Sequence, residues 1–208
     1  MAPTQPSTTP QWPWGRPSTV ISTLLGSEAK GSLLSYLKKQ GWVTSLSAGT
    51  DLSTGSFDLF QVEIELSKDG VNASVIPQIA SLVFEYIRLI DTAGVEEWRW
   101  HEMGTISAIH FRLKNKEQAQ SYVSSLAADM SKYAPRDVLM ANFMYTKYDP
   151  TAIHALLAEL TPKNVLVMLA SQNATGLTQS EKWYNTKYSM GPVPTPLIDQ
   201  WMPVSYTH

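Results

Sequence analysis

The chain has 208 residues, enough for one domain with a buried core, and 43% of them are hydrophobic while 16% are charged. This balance excludes an intrinsically disordered chain, and a formal net charge of -2 without a basic cluster argues against nucleic acid as a partner. The absence of cysteine excludes disulfides and thiolate metal sites, and it fits a cytoplasmic or other reducing intracellular compartment.

The N-terminal segment predicts a leader rather than a targeting signal. Residues 1–19 are rich in proline, threonine and serine and lack the apolar core of a signal peptide, so we expect a flexible leader there. No run in the chain approaches the ~18 apolar residues that a membrane span needs, so we do not expect a membrane as a partner.

The first predicted elements are a helix and two strands. Ser32 is predicted to cap a helix over LLSYLKKQ that ends at Gly41, and a strand within WVTSLSAG is followed by a loop over residues 50–56. In FDLFQVEIELS, apolar and polar residues alternate, which predicts a half-buried strand. The residues predicted on its inner face are Phe60, Val62, Ile64 and Leu66.

The next hundred residues are predicted to be largely helical. An apolar stripe at helical spacing runs from Val75 to Ile90 and stops near Gly94. A second helix opens with EEW, a third covers residues 117–133, and Pro135 can start a fourth. On the second helix, the residues predicted to share one face are Trp98, Glu102, Ile106, Ile109 and Leu113. On the third helix, the residues predicted to point inward are Tyr122, Val123, Leu126, Ala127 and Met130.

The last predicted elements are a helix and a strand. The pair Asp149–Pro150 predicts an N-cap followed by proline at the first helical position. The run NVLVMLAS, residues 164–171, is apolar on both faces, which predicts a buried central strand. The pattern therefore predicts an α+β domain over residues 20–172, and the polar, proline-rich residues 173–208 are predicted to be a connector and C-terminal tail.

The residues by themselves reveal no catalytic centre. His101–Glu102 would need a second histidine where Thr105 stands, and the inverted spacing His-x-x-Glu-His occurs nowhere in the chain. His110 lies roughly two and a half helical turns from His101, too far to share a metal with it. No serine occupies a G-x-S-x-G turn, and no glycine-rich segment matches a phosphate loop. We therefore predict no catalytic residue and no metal ligand in this chain.

Five segments of the chain, in the same order as in the family, resemble the insulin-degrading enzyme family, the metallopeptidases that include insulysin, nardilysin and pitrilysin. LLGSEAKGSLLSYLKKQGW is similar to a leucine-rich stretch that marks the second, non-catalytic domain of these enzymes. The segments that follow in family order are FQVEIELSKDG, FEYIRLIDTAGVEEWRWHEM, HFRLKNKEQAQSYVSSLAADM and LTPKNVLVMLASQNATGLTQSEKWYNTKY. The resemblance extends from about Val20 to Trp201 and implies an insulinase-like half-domain, with an antiparallel or mixed sheet covered by several helices.

The chain also departs from the family pattern. In the family, the zinc-binding His-x-x-Glu-His helix lies in the first domain, so the resemblance implies zinc in full-length members and no cofactor here. Within the first motif, Ser27 stands where the family has histidine and Ala29 where it has glycine. From this resemblance we expect the first strand and helix of the second domain to be missing, with the proline-rich leader in their place. We therefore expect oligomerisation, replacement of that strand by the leader, or marginal stability.

The resemblance implies a peptide exosite in this domain. In the family, the second domain completes a chamber around the substrate and offers a sheet edge to its N-terminal segment by strand addition. Glu28 is expected to attract the α-amino group of the peptide, and glycines let two backbones approach, although turn geometry explains the glycines equally well. The residues implied are Leu24, Gly26, Glu28, Ser47, Ala48, Gly49 and Thr50.

Two functions stay open at this point. In the first, the chain is a fragment or degenerate paralogue of an insulysin-like zinc metallopeptidase, a chamber domain that binds peptide and has no hydrolytic activity alone. In the second, it is a non-catalytic interaction subunit that partners an active peptidase or a structural complex. The expected partners are a peptide substrate and either a catalytic domain or a second copy of the chain.

Overall fold

The structure, a computed structural model, describes residues 16–53 and 57–202. Within that part of the chain, seven α-helices accompany two small antiparallel sheets, so the predicted α+β class is confirmed. The helices are α1 (Pro17–Leu25), α2 (Leu33–Lys39), α3 (Ile76–Ala93), α4 (Glu97–Arg112), α5 (Ala119–Met130), α6 (Pro150–Glu159) and α7 (Thr195–Trp201). The strands are β1 (Val43–Ser53), β2 (Asp58–Leu66), β3 (Gln179–Ser180) and β4 (Lys187–Tyr188), and short 3-10 turns cover Ala141–Phe143 and Pro162–Asn164.

Helix α1 lies at the centre of the hydrophobic core. Val20, Ile21 and Leu25 are fully buried, and the helix packs against β1, α6 and α3. Pro17 lies in the first turn, where its missing N–H costs no helical hydrogen bond. The last residues of the predicted 1–19 leader therefore belong to a core helix, and residues 1–15 lie outside the described residues.

Helix α2 and the β1–β2 pair follow the predicted pattern. The Ser32 hydroxyl accepts a hydrogen bond from the Ser35 N–H at 3.1 Å, which caps α2 as predicted, and Gly41 follows the helix with a φ of 74°. The two strands pair antiparallel, and the predicted inner face of β2 packs against the core. Strand β1 continues through Ser53, so the loop predicted for residues 50–56 starts later; residues 54–56 lie outside the described part.

Helices α3 and α6 complete the core. Along α3 the buried residues recur at helical spacing until Gly94, whose φ of 71° ends the helix as predicted. The Asp149 carboxylate accepts a hydrogen bond from the Ala152 N–H at 3.0 Å and caps α6 as predicted. The buried residues of the two helices are Ile79, Val83, Ile87 and Ile90 on α3 and Ile153 and Leu157 on α6.

Helices α4 and α5 form where they were predicted, but their apolar faces are turned to solvent. The residue that α4 buries is Trp100, and α5 buries none. The residues predicted to share a face of the second helix, Trp98, Glu102, Ile106, Ile109 and Leu113, are all exposed on α4 or just after it. Of the residues predicted to point inward on α5, Tyr122, Val123, Ala127 and Met130 are exposed and Leu126 is half-buried. The predicted inward face of α5 is therefore wrong, because periodicity locates an apolar stripe without showing whether a partner surface exists in the same chain.

Two further predictions after residue 130 are wrong. Pro135 does not start an α-helix; the next helical element is the 3-10 turn at Ala141–Phe143. Residues 164–171 do not form the predicted buried strand, since Leu166 and Met168 are 82% and 86% exposed. A run that is apolar on both faces needs a strand or helix on each side, and the described part of the chain supplies no strand partner for it.

Helix α7 returns to the domain within the segment predicted to be a connector. Trp201 is 5% exposed, its indole N–H donates to the Pro77 carbonyl at 3.0 Å, and its ring stacks on Phe84 at 6.0 Å between centroids. Residues 195–201 therefore pack against α3.

We expect Gly70→Ala to lower the free energy of unfolding by about 1–3 kcal/mol, because a Cβ at this buried position would overlap the backbone carbonyl of Trp42. Urea denaturation followed by circular dichroism measures the change. Gly49→Ala is the matched control, since no atom lies within 4 Å of a Cβ there and no positive φ is required. Equal stability of the two variants would contradict the packing described for Gly70.

Candidate functional site

The end of α1 lies against strand β1. Gly26 follows the helix, and its N–H donates to the Ser22 carbonyl at 2.8 Å. A Cβ at Gly26 would lie 3.8 Å from the backbone nitrogen of Ala48 and 3.0 Å from the Ser22 oxygen, so this approach favours glycine. The fold thus brings together the two chain segments, around residues 26 and 48, that the predicted exosite contains.

Strand β1 has an edge that no described strand covers. Residues 47–50 pair with residues 63–60 of β2 in regular register, between a shift at Val43/Ser45 and another at Thr50/Leu52. Among the described strands, β2 is the single partner of β1. In an antiparallel pair, alternate residues direct their N–H and C=O groups away from the partner strand. An extended chain could therefore pair with the outer side of β1.

The predicted exosite residues differ in their surroundings. Leu24 and Ala48 are half-buried and pack against the core, so their side chains also hold α1 and β1 together. Ser47, Thr50 and Glu28 are exposed, and Gly49 is half-buried with open space around its Cβ position. The Glu28 carboxylate follows the C-terminus of α1, where the helix dipole is negative, and both charges favour a cationic group. A role in binding stays a prediction for all seven residues.

A second concave site lies between α4 and residues 140–146, and the sequence did not predict it. The cavity has a volume of about 490 Å³. Trp100 meets Tyr145 edge-on at 5.7 Å between ring centroids, and Phe111 lies 5.3 Å from Phe143. Gly104 allows this packing, since a Cβ there would lie 3.0 Å from the Tyr145 Cβ. A glycine inside a helical pattern was the available signal that another chain segment approaches α4 closely.

Arg16 joins the start of α1 to this cavity. Its Nε donates to the Met144 carbonyl at 3.0 Å and its Nη2 donates to the Ala141 carbonyl at 2.6 Å. Its guanidinium carbon lies 5.6 Å from the centroid of the Tyr145 ring. Burial raises the pKa of Tyr145, while the positive charge of Arg16 acts in the opposite direction and partly offsets this shift.

The described residues do not fit a zinc site. Within 16–53 and 57–202, no group of three or more His, Cys, Asp or Glu side chains is placed to hold a metal ion. His101 forms a surface pair with Glu97 at 3.6 Å and His154 with Asp91 at 2.7 Å, whereas zinc takes at least three protein ligands. Over the same residues, none of the helices is both long and apolar enough to cross a membrane.

Two family models match adjoining parts of the chain. Residues 8–104 match the "Peptidase M16 inactive domain" and residues 111–207 match the "Middle or third domain of peptidase_M16". The molecule is thus an α+β chain homologous to the inactive and middle domains of M16 peptidases. The chain belongs to the M16 peptidase family, which confirms the resemblance to insulin-degrading enzymes. The second match extends the resemblance beyond a single non-catalytic domain.

Curated relatives agree with this assignment. The chain is 34% identical over 187 residues to "Insulin-degrading enzyme-like 1, peroxisomal" of Arabidopsis thaliana, covering 89% of this chain and 19% of the relative. It is 32% identical over 186 residues to the insulin-degrading enzyme of Homo sapiens, covering 89% and 18%. The A-factor-processing enzyme of Saccharomyces cerevisiae is 34% identical over 184 residues, covering 88% and 18%. The chain therefore spans about a fifth of the length of these relatives.

A solved structure supports the fold. The crystal structure of pitrilysin superposes with a TM-score of 0.83 at 23% identity and covers 90% of this chain and 20% of that one. The insulinase-like α+β fold is therefore confirmed.

We expect the free energy of unfolding to fall as pH rises above about 10, partly through Tyr145. The pKa of Tyr145 is raised in the folded state, so between the ordinary pKa of about 10 and the raised pKa the folded chain keeps a proton that the unfolded chain has lost. This proton stabilises the folded state at lower pH, and the stabilisation is lost as the pH rises through the raised pKa. Urea denaturation at a series of alkaline pH values should give a shallower fall for Tyr145→Phe than for the unchanged chain. The exposed Tyr36→Phe is the control, and identical slopes for Tyr145→Phe and the unchanged chain would contradict the assignment.

Proposed function

We propose that this chain is a non-catalytic chamber segment of an insulysin-like peptidase that binds peptide along β1 without hydrolysing it. The observation that carries the proposal is the edge of β1 at residues 47–50, with which no described strand pairs, next to the end of α1 at Gly26. Strand addition relies on main-chain hydrogen bonds, and the small side chains of Ser47, Ala48 and Gly49 leave room for a second backbone.

Charge gives the bound peptide a direction. The negative end of the α1 dipole and the Glu28 carboxylate both favour a free α-amino group at that end of the edge. A site that recognises the amino terminus and the backbone of a peptide more than its side chains tolerates many peptide sequences. Hydrolysis, and the zinc that the family resemblance implies for it, would then belong to other parts of full-length family members. The absence of cysteine is the reason for proposing that this peptide binding takes place in a reducing intracellular compartment.

An extended peptide with a free amino terminus should shift the backbone amide signals of residues 45–66 in a 15N-labelled sample, because the peptide adds a strand to β1. The same peptide methylated on alternate backbone nitrogens should cause no shift, since it cannot donate to the strand. With zinc present, the unmodified peptide should remain intact. Binding of both peptides alike, or shifts confined to other residues, would contradict strand addition.

Glu28→Gln tests the charge contribution within the same experiment. The unchanged chain should prefer the free amino terminus over its acetylated form by up to about fivefold, the size expected for an exposed ion pair. Glu28→Gln should reduce this preference, and Glu85→Gln, an exposed change on α3, should leave it intact.

We also propose a second function, an interaction subunit, because of the apolar residues exposed on α4, α5 and residues 165–169. Leu113, Val123, Met130, Leu166 and Met168 are each more than 60% exposed. Exposed apolar patches of this kind mark surfaces that a catalytic domain or a second copy can cover.

The double variant Leu166→Ser/Met168→Ser should remain monomeric at concentrations where the unchanged chain self-associates, because it removes the most exposed side chains of that run. Sedimentation equilibrium measures the association state. Met190→Ser, a similarly exposed change elsewhere, is the control and should associate like the unchanged chain. A monomeric unchanged chain at all concentrations would rule out a second copy as the partner.

A further inference from the structure

We propose that the edge of β1 prefers peptides in which basic and apolar side chains alternate, with the basic ones on the face of the sheet that carries Glu63 and Glu65. This inference rests on the proposed function, because it assigns a side-chain preference to the peptide that adds a strand to β1. The main-chain hydrogen bonds are common to all such peptides, and the side chains then set differences in affinity among them.

The pairing of β1 with β2 gives the two faces of the sheet different chemistry. Residues that lie opposite each other in an antiparallel pair share one face. The pairs on the solvent-exposed face are Ser45 with Glu65 and Ser47 with Glu63. The pairs on the face toward the core are Leu46 with Ile64 and Ala48 with Val62. A strand added to β1 continues both faces, so its successive side chains meet polar and apolar surroundings in turn.

The Glu65 carboxylate is directed toward β1. Its Oε2 atom accepts hydrogen bonds from the Ser45 hydroxyl at 2.8 Å and from the Thr44 hydroxyl at 3.3 Å. Adjacent strands lie about 4.8 Å apart, so a carboxylate held over β1 is about one strand spacing from a peptide that pairs with the outer side of β1. A lysine or arginine of that peptide can therefore reach the carboxylate.

Small side chains on β1 leave this path open. Ser45, Ser47 and Gly49 follow one another on the exposed face, and no atom lies within 4 Å of a Cβ at Gly49. The methylene stem of a lysine can lie across such residues and keep its ammonium group in water. The side chain thus extends from the peptide across β1 toward the glutamates of β2.

Charge on the exposed face favours a cation. The residue pairs along this face contribute Glu63 and Glu65 and neither lysine nor arginine. None of the ion pairs formed among the described residues includes either glutamate. The two carboxylates are two positions apart on one strand, where like charges repel, and lysines at alternate peptide positions would offset this repulsion.

The opposite face favours apolar side chains. Leu24 and Ala48 are half-buried and pack against the core. A Cβ at Gly26 would lie 3.8 Å from the backbone nitrogen of Ala48, so the end of α1 lies close to this part of β1. An apolar peptide side chain here is removed from water, whereas a lysine would lose part of its hydration without gaining a carboxylate.

The test compares two peptides of identical composition and charge, Ala-Lys-Val-Lys-Val-Thr and Ala-Lys-Lys-Val-Val-Thr, both with a free amino terminus. In an added strand, the first peptide places both lysines on one face, whereas the second divides them between the two faces. We expect the alternating peptide to bind the unchanged 15N-labelled chain about fivefold more tightly, the factor expected for two exposed ion pairs. Titrations followed by the amide signals of residues 45–66 measure both affinities.

The double variant Glu63→Gln/Glu65→Gln should bind both peptides with similar affinity, because it keeps the strand edge and removes the two charges. Glu85→Gln/Glu102→Gln changes two exposed residues on α3 and α4 and alters the net charge equally, so it should retain the preference. Circular dichroism should show that both variants fold like the unchanged chain. In the unchanged chain, salt at about 0.5 M should lower the preference by screening the ion pairs.

The outcomes separate this inference from the proposed function. Equal affinities of the two peptides for the unchanged chain, with shifts at residues 45–66, would overturn the inference and leave peptide binding at β1 intact. A preference that persists in Glu63→Gln/Glu65→Gln would also overturn it, since the glutamates would not be its cause. No shift at residues 45–66 with either peptide would overturn the proposed function and this inference together.

Discussion

The burial of α1 is the constraint on which the rest of the structure depends. Val20, Ile21 and Leu25 are removed from solvent completely by contacts with β1, α3 and α6, so the helix is fixed in position and rotation. Its C-terminal end then sets Gly26 against Ala48, and its N-terminal end sets Arg16 against the 141–145 segment. The two candidate sites therefore lie at opposite ends of one nine-residue helix, about 14 Å apart along its axis.

Burial is unevenly distributed between the two family matches. Most residues of the hydrophobic core belong to the 8–104 match, and the 111–207 match contributes chiefly α6 and Trp201. Most apolar residues of α5 and of the 165–169 run lie exposed, although their patterns are helical or strand-like; Leu126 and Val165 are half-buried. Such patterns arise where an element packs against something, and here the partner surface is not among the described residues. These residues have apolar patterns typical of packed elements and yet are exposed, which is the reason for proposing an interaction function beside peptide binding.

Local sequence signals predicted the ends of helices well, whereas features that depend on long-range packing were not predicted. The caps at Ser32 and Asp149 and the glycine stops at Gly41 and Gly94 depend on a few neighbouring residues, so their sequence signals were sufficient. The β1 segment of the candidate site was inferred through family resemblance. The cavity beside α4 escaped prediction, because it forms where Tyr145 and Phe143 approach a helix more than thirty residues away in the chain.

The family resemblance implies which residues a peptide-binding edge would use, and their role stays a prediction. The sequence by itself determined the α+β class, the positions of β2, α3 and α6, and the family. These follow from alternation, helical spacing, caps and ordered motifs, all of which are properties of neighbouring residues. Only the tertiary structure decided that α1 begins inside the predicted leader, that α5 turns its apolar face to solvent, that residues 164–171 form no strand, and that α7 returns to α3. The physical reason is that burial depends on which surfaces meet, and a one-dimensional pattern records the need for a partner without supplying one.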